Sequence, residues 1–142
     1  ERSLDGNGGI IPDYVFQERR ITPTEIKMLQ EQTAFVFAAK YIDSKKPDSE
    51  FAFSIPEDVI NRYFDYVREQ DIDIDTLISD SELKSDAILQ LKLEFARQLG
   101  GDELFYRIMT QENYLIQKAH RLLRNASDSE TMLQRIEEMT KN

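Results

Sequence analysis

The sequence predicts an all-α fold: a helical array of four to five helices, preceded by a short N-terminal extended strand segment. Apolar residues recur at helical spacing through most of the chain after Thr22. Two Thr/Ser-x-x-Glu patterns, at residues 22–25 and 54–57, match the capping box that begins many helices. A strand is predicted only at residues 6–13, where glycines allow a tight turn and Ile10 and Ile11 favour extended backbone.

The predicted strand has no partner of its own kind, because every later segment carries helical periodicity. Pro12 removes a ladder donor and ends the segment. We therefore expect residues 1–21 to be the remnant of a larger sheet domain and residues 22–142 to form a C-terminal helical domain. Residues 8–16 are expected to be loose, folded over the helices or paired with another copy, since unpaired strand edges seek partners.

Composition narrows the possible functions. The chain has 142 residues, 32% of them charged, and a formal net charge of −9. This charge argues against nucleic acid as a partner, because nonspecific binding to phosphates needs clustered cations. Cysteine is absent, so disulfides, thiol catalysis and thiolate metal sites are excluded. No apolar run approaches 18 residues, and direct membrane insertion is therefore not expected.

The first helix is predicted to begin at Pro23, after the cap Thr22, and to continue to about Tyr41. Its apolar residues form two rows that together make a wide face, so we expect a well-buried helix. The rows are Ile26, Leu29, Thr33, Val36, Phe37 and Tyr41 in one, and Met28, Phe35 and Ile42 in the other.

Further helices are predicted along the chain. A short extended piece at 51–53 and the second capping box precede a helix whose apolar side carries Val59, Ile60, Tyr63, Phe64 and Val67. A third helix spans about 81–99 and ends at Gly100-Gly101, as glycine favours. The fourth runs from Glu103 to about Arg124, and a last, narrowly apolar helix covers about 129–140.

An acidic segment resembles a calcium-binding loop in its spacing. Five residues fall at positions 1, 3, 5, 8 and 12 of an EF-hand loop: Asp71, Asp73, Asp75, Ile78 and Glu82. Position 6 is Thr76, where the sharp turn of such a loop calls for glycine. The favoured interpretation is a connector that buries Ile72 and Ile74 and caps the next helical turn with Asp73 or Asp75.

No catalytic residue, metal ligand or cofactor is predicted in this chain. Its single histidine, His120, lies beside an apolar stripe, and we expect it to pack at the boundary of the core. The glycine stretch lacks the spacing of a dinucleotide-binding fingerprint and the lysine of a P-loop.

Residues 6–13 resemble the motif near the end of the catalytic domain in C-terminal processing (tail-specific) peptidases. In that family a run of glycines precedes Ile, a variable residue and Pro-Asp. The matching residues here are Gly8, Gly9, Ile10, Pro12 and Asp13, while Asn7 interrupts the glycine run. Segments 37–41, 51–54, 91–97 and 116–119 resemble the helical C-terminal extension of some members. The resemblance covers roughly residues 6–123.

The resemblance implies a parent serine protease with a serine–lysine dyad and a PDZ domain. Both catalytic residues would precede Glu1, so no residue of this chain inherits a catalytic role. The chain would pack against its own protease domain, steer a protein or peptide substrate, or self-associate. A location in the periplasm or cell envelope is implied by the resemblance alone.

Two other functions remain open at the level of sequence. A stand-alone helical module that binds a peptide or partner helix would explain an unclaimed apolar helix face. A calcium-responsive module would use Asp71, Asp73, Asp75 and Glu82.

Overall fold

A computed structural model describes residues 20–124, and the chain from Arg20 to Tyr114 forms one compact unit. The described residues form helices and no strand, so the predicted all-α class is confirmed. The predicted strand at 6–13, the turn at 125–128 and the helix at 129–140 lie outside the described residues. The elements are α1 Pro23–Gln30, α2 Thr33–Lys45, a 3-10 helix Ser49–Ala52, α3 Glu57–Glu69, α4 Asp75–Ser79, α5 Ser81–Glu112 and α6 Tyr114–Arg124.

The first predicted helix is two helices. Its capping box is confirmed: the Glu25 backbone N–H donates to Thr22 Oγ1 at 3.3 Å, and the Thr22 N–H donates to Glu25 Oε2 at 2.8 Å. The prediction of one helix to Tyr41 is wrong, because Gln32 takes a left-handed backbone (φ 49°, ψ 40°) that separates α1 from α2. Periodicity alone does not reveal this break, since glutamine is an ordinary helix former.

The segment before α3 also differs from prediction. Residues 51–53 are not extended, since Ser49–Ala52 is a 3-10 helix held by i to i+3 bonds such as Phe53 N–H to the Glu50 carbonyl at 3.1 Å. The second capping box does not form, because α3 begins after Pro56 and no side chain caps it. The predicted apolar stripe is confirmed by the buried residues of α3, which are Val59, Tyr63, Phe64 and Val67.

The acidic connector is built as predicted. Ile72 and Ile74 are 3% and 1% exposed. Asp73 Oδ1 accepts the backbone N–H of Asp75 at 3.2 Å, at the first residue of α4. Alternation of acidic and apolar residues here therefore reflects core anchoring between α3 and α4.

α5 contributes more residues to the buried core than any other described element. Asp80 caps it by accepting the backbone N–H of Glu82 at 2.9 Å. The predicted break at Gly100-Gly101 appears as a kink at Gly101, whose φ of 66° and ψ of −158° suit glycine alone. The predicted continuity to Arg124 is wrong, since the backbone of Asn113 is extended (φ −70°, ψ 119°) and separates α5 from α6.

The centre of the compact unit is where α5 meets α2 and the 3-10 helix. Phe95 is fully buried, and its ring centroid lies 5.6 Å from that of Tyr41 and 5.0 Å from that of Phe51. The three rings are edge-to-face or stacked, the arrangements that aromatic pairs favour. This cluster fixes the position of α2 and thereby of the groove described below.

Candidate functional site

An open groove runs between α2 and α3 and has a volume of about 210 Å³. The residues that α2 contributes are spaced i, i+3, i+4 and i+7, which places them on one helix face. The two residues from α3 are spaced i, i+4 and share a face for the same reason. The groove is lined by Phe37, Lys40, Tyr41, Ser44, Arg62 and Tyr66.

Aromatic rings form the floor of this groove. The Phe37 ring centroid lies 6.3 Å from that of Tyr41 and 5.8 Å from that of Tyr66. It also lies 5.3 Å from that of Tyr63, edge to face, and Tyr63 is 1% exposed. Phe37 thus packs on a core residue, while Phe37, Tyr41 and Tyr66 all remain partly exposed.

Two cations border the aromatic floor. Lys40 Nζ lies 5.1 Å from the centroid of the Tyr66 ring, and Arg62 Cζ lies 5.8 Å from that of Tyr41. Such contacts hold a cation near a ring while its N–H donors stay available. Lys40 makes no salt bridge within residues 20–124, and the nearest carboxylate oxygen to Arg62, on Asp58, is 4.0 Å from Nη1. The groove is therefore locally basic on an acidic protein.

Carboxylates flank the groove at its Tyr66 end. Burial raises the pKa of Tyr66, and the nearby carboxylates of Glu31 and Glu69 raise this pKa further. These acidic side chains limit the basic surface to the neighbourhood of Lys40 and Arg62.

A second surface lies on α1. Three exposed apolar side chains, Ile21 just before α1 and two on the helix, form what we call the α1 apolar face: Ile21 is 59% exposed, Ile26 45% and Leu29 60%. Met28 is the one buried residue of α1. The prediction of a well-buried first helix is therefore wrong for α1, because the break at Gln32 ends the helix before its apolar rows can follow α2 into the core.

The predicted motif residues Gly8, Gly9, Ile10, Pro12 and Asp13 lie outside the described residues, so their role stays a prediction. His120 lies on α6 and is exposed, contrary to the expected boundary packing. Helical spacing placed it beside an apolar stripe, but spacing does not show what covers that stripe.

The EF-hand-like carboxylates do not converge. Asp75 Oδ1 lies 3.2 Å from Arg68 Nη2, and Asp73 is engaged with the start of α4. The Asp71 carbonyl accepts from Lys27 Nζ at 2.6 Å, a contact that ties the connector to α1. Within residues 20–124 no three acidic or histidine side chains come together as a metal site, Asp71, Asp73, Asp75 and Glu82 included.

Sequence reasoning missed the groove because it assigned Phe37 and Tyr41 to the core stripe. The sequence did contain a signal: Lys40 shares a helix face with Phe37 and Tyr41. Arg62 and Tyr66, four residues apart, share a face in the same way. Comparisons with protein-family models, curated proteins and solved structures give no match to this chain. None of the described helices has the length and apolar character needed to cross a bilayer.

Proposed function

We propose that this chain is the non-catalytic helical C-terminal region of a C-terminal processing serine peptidase and that it packs against the protease domain of the same protein. The resemblance of Gly8, Gly9, Ile10, Pro12 and Asp13 to the family motif supports the relationship. The observation that carries the packing role is the α1 apolar face.

The α1 apolar face suits an intramolecular contact. Burying an exposed Ile or Leu side chain contributes about 1.5–3 kcal/mol, so three side chains left open are an unused source of stability. Asp13 and Ile21 are eight positions apart, and a chain of that length spans at most about 28 Å. A domain that carries the glycine motif would therefore lie within reach of α1.

In this proposal the helical region holds the protease domain, steers an unfolded protein or peptide substrate toward it, or mediates self-association. Chemistry belongs to the serine–lysine dyad of the protease domain. Export to the periplasm or cell envelope is part of the same proposal, since it comes from the family resemblance.

The proposal is tested on the complete gene product. The encoding gene should specify a serine–lysine dyad before Glu1, and a gene without one would rule out the peptidase relationship.

The docking role of α1 is tested in the complete protein. There, Ile26→Asp with Leu29→Asp should speed amide hydrogen exchange in α1 and make the protease domain more susceptible to limited proteolysis. Tyr106→Asp, at a side chain 58% exposed on α5, is the matched control and should leave both unchanged. Equal effects from the two changes would refute the docking role of α1.

A further inference from the structure

We propose that the groove between α2 and α3 binds a short acidic peptide segment, with carboxylates paired to Lys40 and Arg62 and a neighbouring apolar side chain against Phe37, Tyr41 and Tyr66. This inference stands on the groove alone and does not depend on the peptidase relationship.

The charge of the lining selects an anionic ligand. Lys40 and Arg62 are the charged side chains that line the groove, and both are cations. Their ring contacts to Tyr66 and Tyr41 supply only partial negative charge. Arg62 also makes a long, exposed ion pair with Asp58, 4.0 Å between Nη1 and Oδ2, so a ligand carboxylate at Arg62 would compete with Asp58. A carboxylate placed there gains charge-assisted hydrogen bonds from both side chains.

The aromatic floor selects a ligand that is also apolar. Phe37, Tyr41 and Tyr66 each remain partly exposed in the groove, with the first packed on the buried Tyr63. A volume of about 210 Å³ holds one or two side chains rather than a folded element. A partly exposed aromatic floor beside cations therefore fits a peptide in which an aromatic or aliphatic residue adjoins Asp or Glu.

The acidity of the whole chain argues for few charges on the ligand. Nucleic acid or an anionic membrane would extend its charges over the carboxylates that border the groove, Asp58 beside Arg62 and Glu31 and Glu69 near Tyr66. Repulsion there opposes a polyanion, and the formal net charge of −9 opposes its approach. A peptide with one or two carboxylates avoids both penalties.

The test uses the 142-residue chain, isotopically labelled for NMR, and the peptide Ac-Gly-Glu-Phe-Glu-Gly-NH2. We expect chemical-shift changes centred on the groove, with binding that weakens as salt rises because exposed charges are screened. Two control peptides, with Gln for both Glu residues or with Ala for Phe, should each bind more weakly. Equal binding of either control peptide would overturn the proposal.

Matched variants of the protein complete the test. Lys40→Gln should weaken the peptide complex about fivefold, the upper range for an exposed ion pair, whereas Lys45→Gln on the same helix should not. Arg62→Gln should behave like Lys40→Gln, and Arg107→Gln is its control because Arg107 lies 4.9 Å from the Phe53 ring, outside the groove. All four sites are exposed, so circular dichroism should report unchanged folding.

Three further results would contradict the proposal that the groove binds an acidic peptide. One is that Lys45→Gln or Arg107→Gln weakens binding as much as its partner variant. Another is that a single-stranded oligonucleotide or anionic vesicles shift the groove resonances at lower concentration than the peptide does. The third is that sedimentation shows the groove closed by a second copy of the chain and the peptide fails to displace it.

Discussion

At the scale of single residues, Tyr63 connects the groove to the core. Its hydroxyl lies 3.1 Å from Thr33 Oγ1, and Thr33 Oγ1 in turn donates to the Met28 carbonyl at 3.4 Å. Burial raises the pKa of Tyr63 to about 12, against a lowering by the Thr33 hydrogen bond. Proximity to Tyr66 and to Glu94 makes smaller contributions to the same rise in pKa. Within residues 20–124, one carboxylate oxygen of Glu94 is buried without a hydrogen-bond partner.

This raised pKa predicts a loss of stability at alkaline pH. The unfolded chain releases the Tyr63 proton near pH 10, whereas the folded chain retains it to about pH 12. Between these values the folded state binds more protons, so the free energy of unfolding falls as pH rises. The contribution of Tyr63 should be complete below pH 10 and about 1.4 kcal/mol smaller at pH 11.

Urea unfolding at pH 8, 10 and 11 measures this effect. Tyr63→Phe should flatten the pH dependence by the amount given above, and Tyr106→Phe, at a largely exposed ring, should not. An unchanged slope in Tyr63→Phe would show that the Tyr63 hydroxyl titrates normally in the folded chain.

Single residues also show where sequence patterns are informative. Ile72 and Ile74 were predicted as core anchors, and both are buried. The prediction succeeded because isoleucines that alternate with acidic residues indicate a segment with one buried side. Ile26 and Leu29 were predicted as core and are exposed. Ile26 and Leu29 do recur at helical spacing, but their burial also requires another element packed against that helix face. The sequence pattern does not show whether such an element is present.

At the scale of elements, two neighbouring glycine substitutions at the end of α2 should change the free energy of unfolding in opposite directions. Lys46 follows the helix with a left-handed backbone (φ 49°, ψ 50°), and its N–H donates to the Ile42 carbonyl at 2.8 Å. The left-handed conformation costs a non-glycine residue about 1–2 kcal/mol. Lys46→Gly should therefore raise the free energy of unfolding by about 0.5–1 kcal/mol. Lys45→Gly, at the last residue of α2, should lower it by at most about 1 kcal/mol, which is what glycine costs in a helix interior.

The two substitutions remove the same charge from adjacent exposed positions, so their difference isolates the backbone effect. Chemical denaturation of the two variants beside the unmodified chain is sufficient. Destabilisation by Lys46→Gly comparable to that by Lys45→Gly would mean that residue 46 does not hold the left-handed conformation.

Element boundaries were predictable only where a residue has a strong backbone preference. Pro23 with the Thr22 cap marked a helix start correctly, and the predicted helix end at Gly100-Gly101 corresponds to the non-helical Gly101 that divides α5. Gln32 and Asn113 break helices without such a signature, and both breaks were missed. The groove was missed for a related reason: its residues share helix faces that the pattern could identify, but their pairing across α2 and α3 is a tertiary property.

At the scale of the whole molecule, packing around α5 holds the compact unit from Arg20 to Tyr114 together, and Phe95 is central to it. Phe95→Ala should cost about 3–5 kcal/mol because it leaves a cavity where the Tyr41 and Phe51 rings now pack. That is a large part of the about 5–15 kcal/mol by which most domains are stable. Phe35→Ala, at a side chain 47% exposed, removes the same atoms and should cost much less.

Urea unfolding midpoints of the two variants, together with the NMR resonances of the groove residues, show whether the Phe95 cluster and the groove are structurally coupled. Because Tyr41 contacts Phe95 on one side and Arg62 on the other, loss of the Phe95 ring should also shift the resonances of the groove. Phe35→Ala should leave them in place. Similar costs for the two substitutions, or a groove insensitive to Phe95, would mean that α2 is held by contacts other than this aromatic cluster.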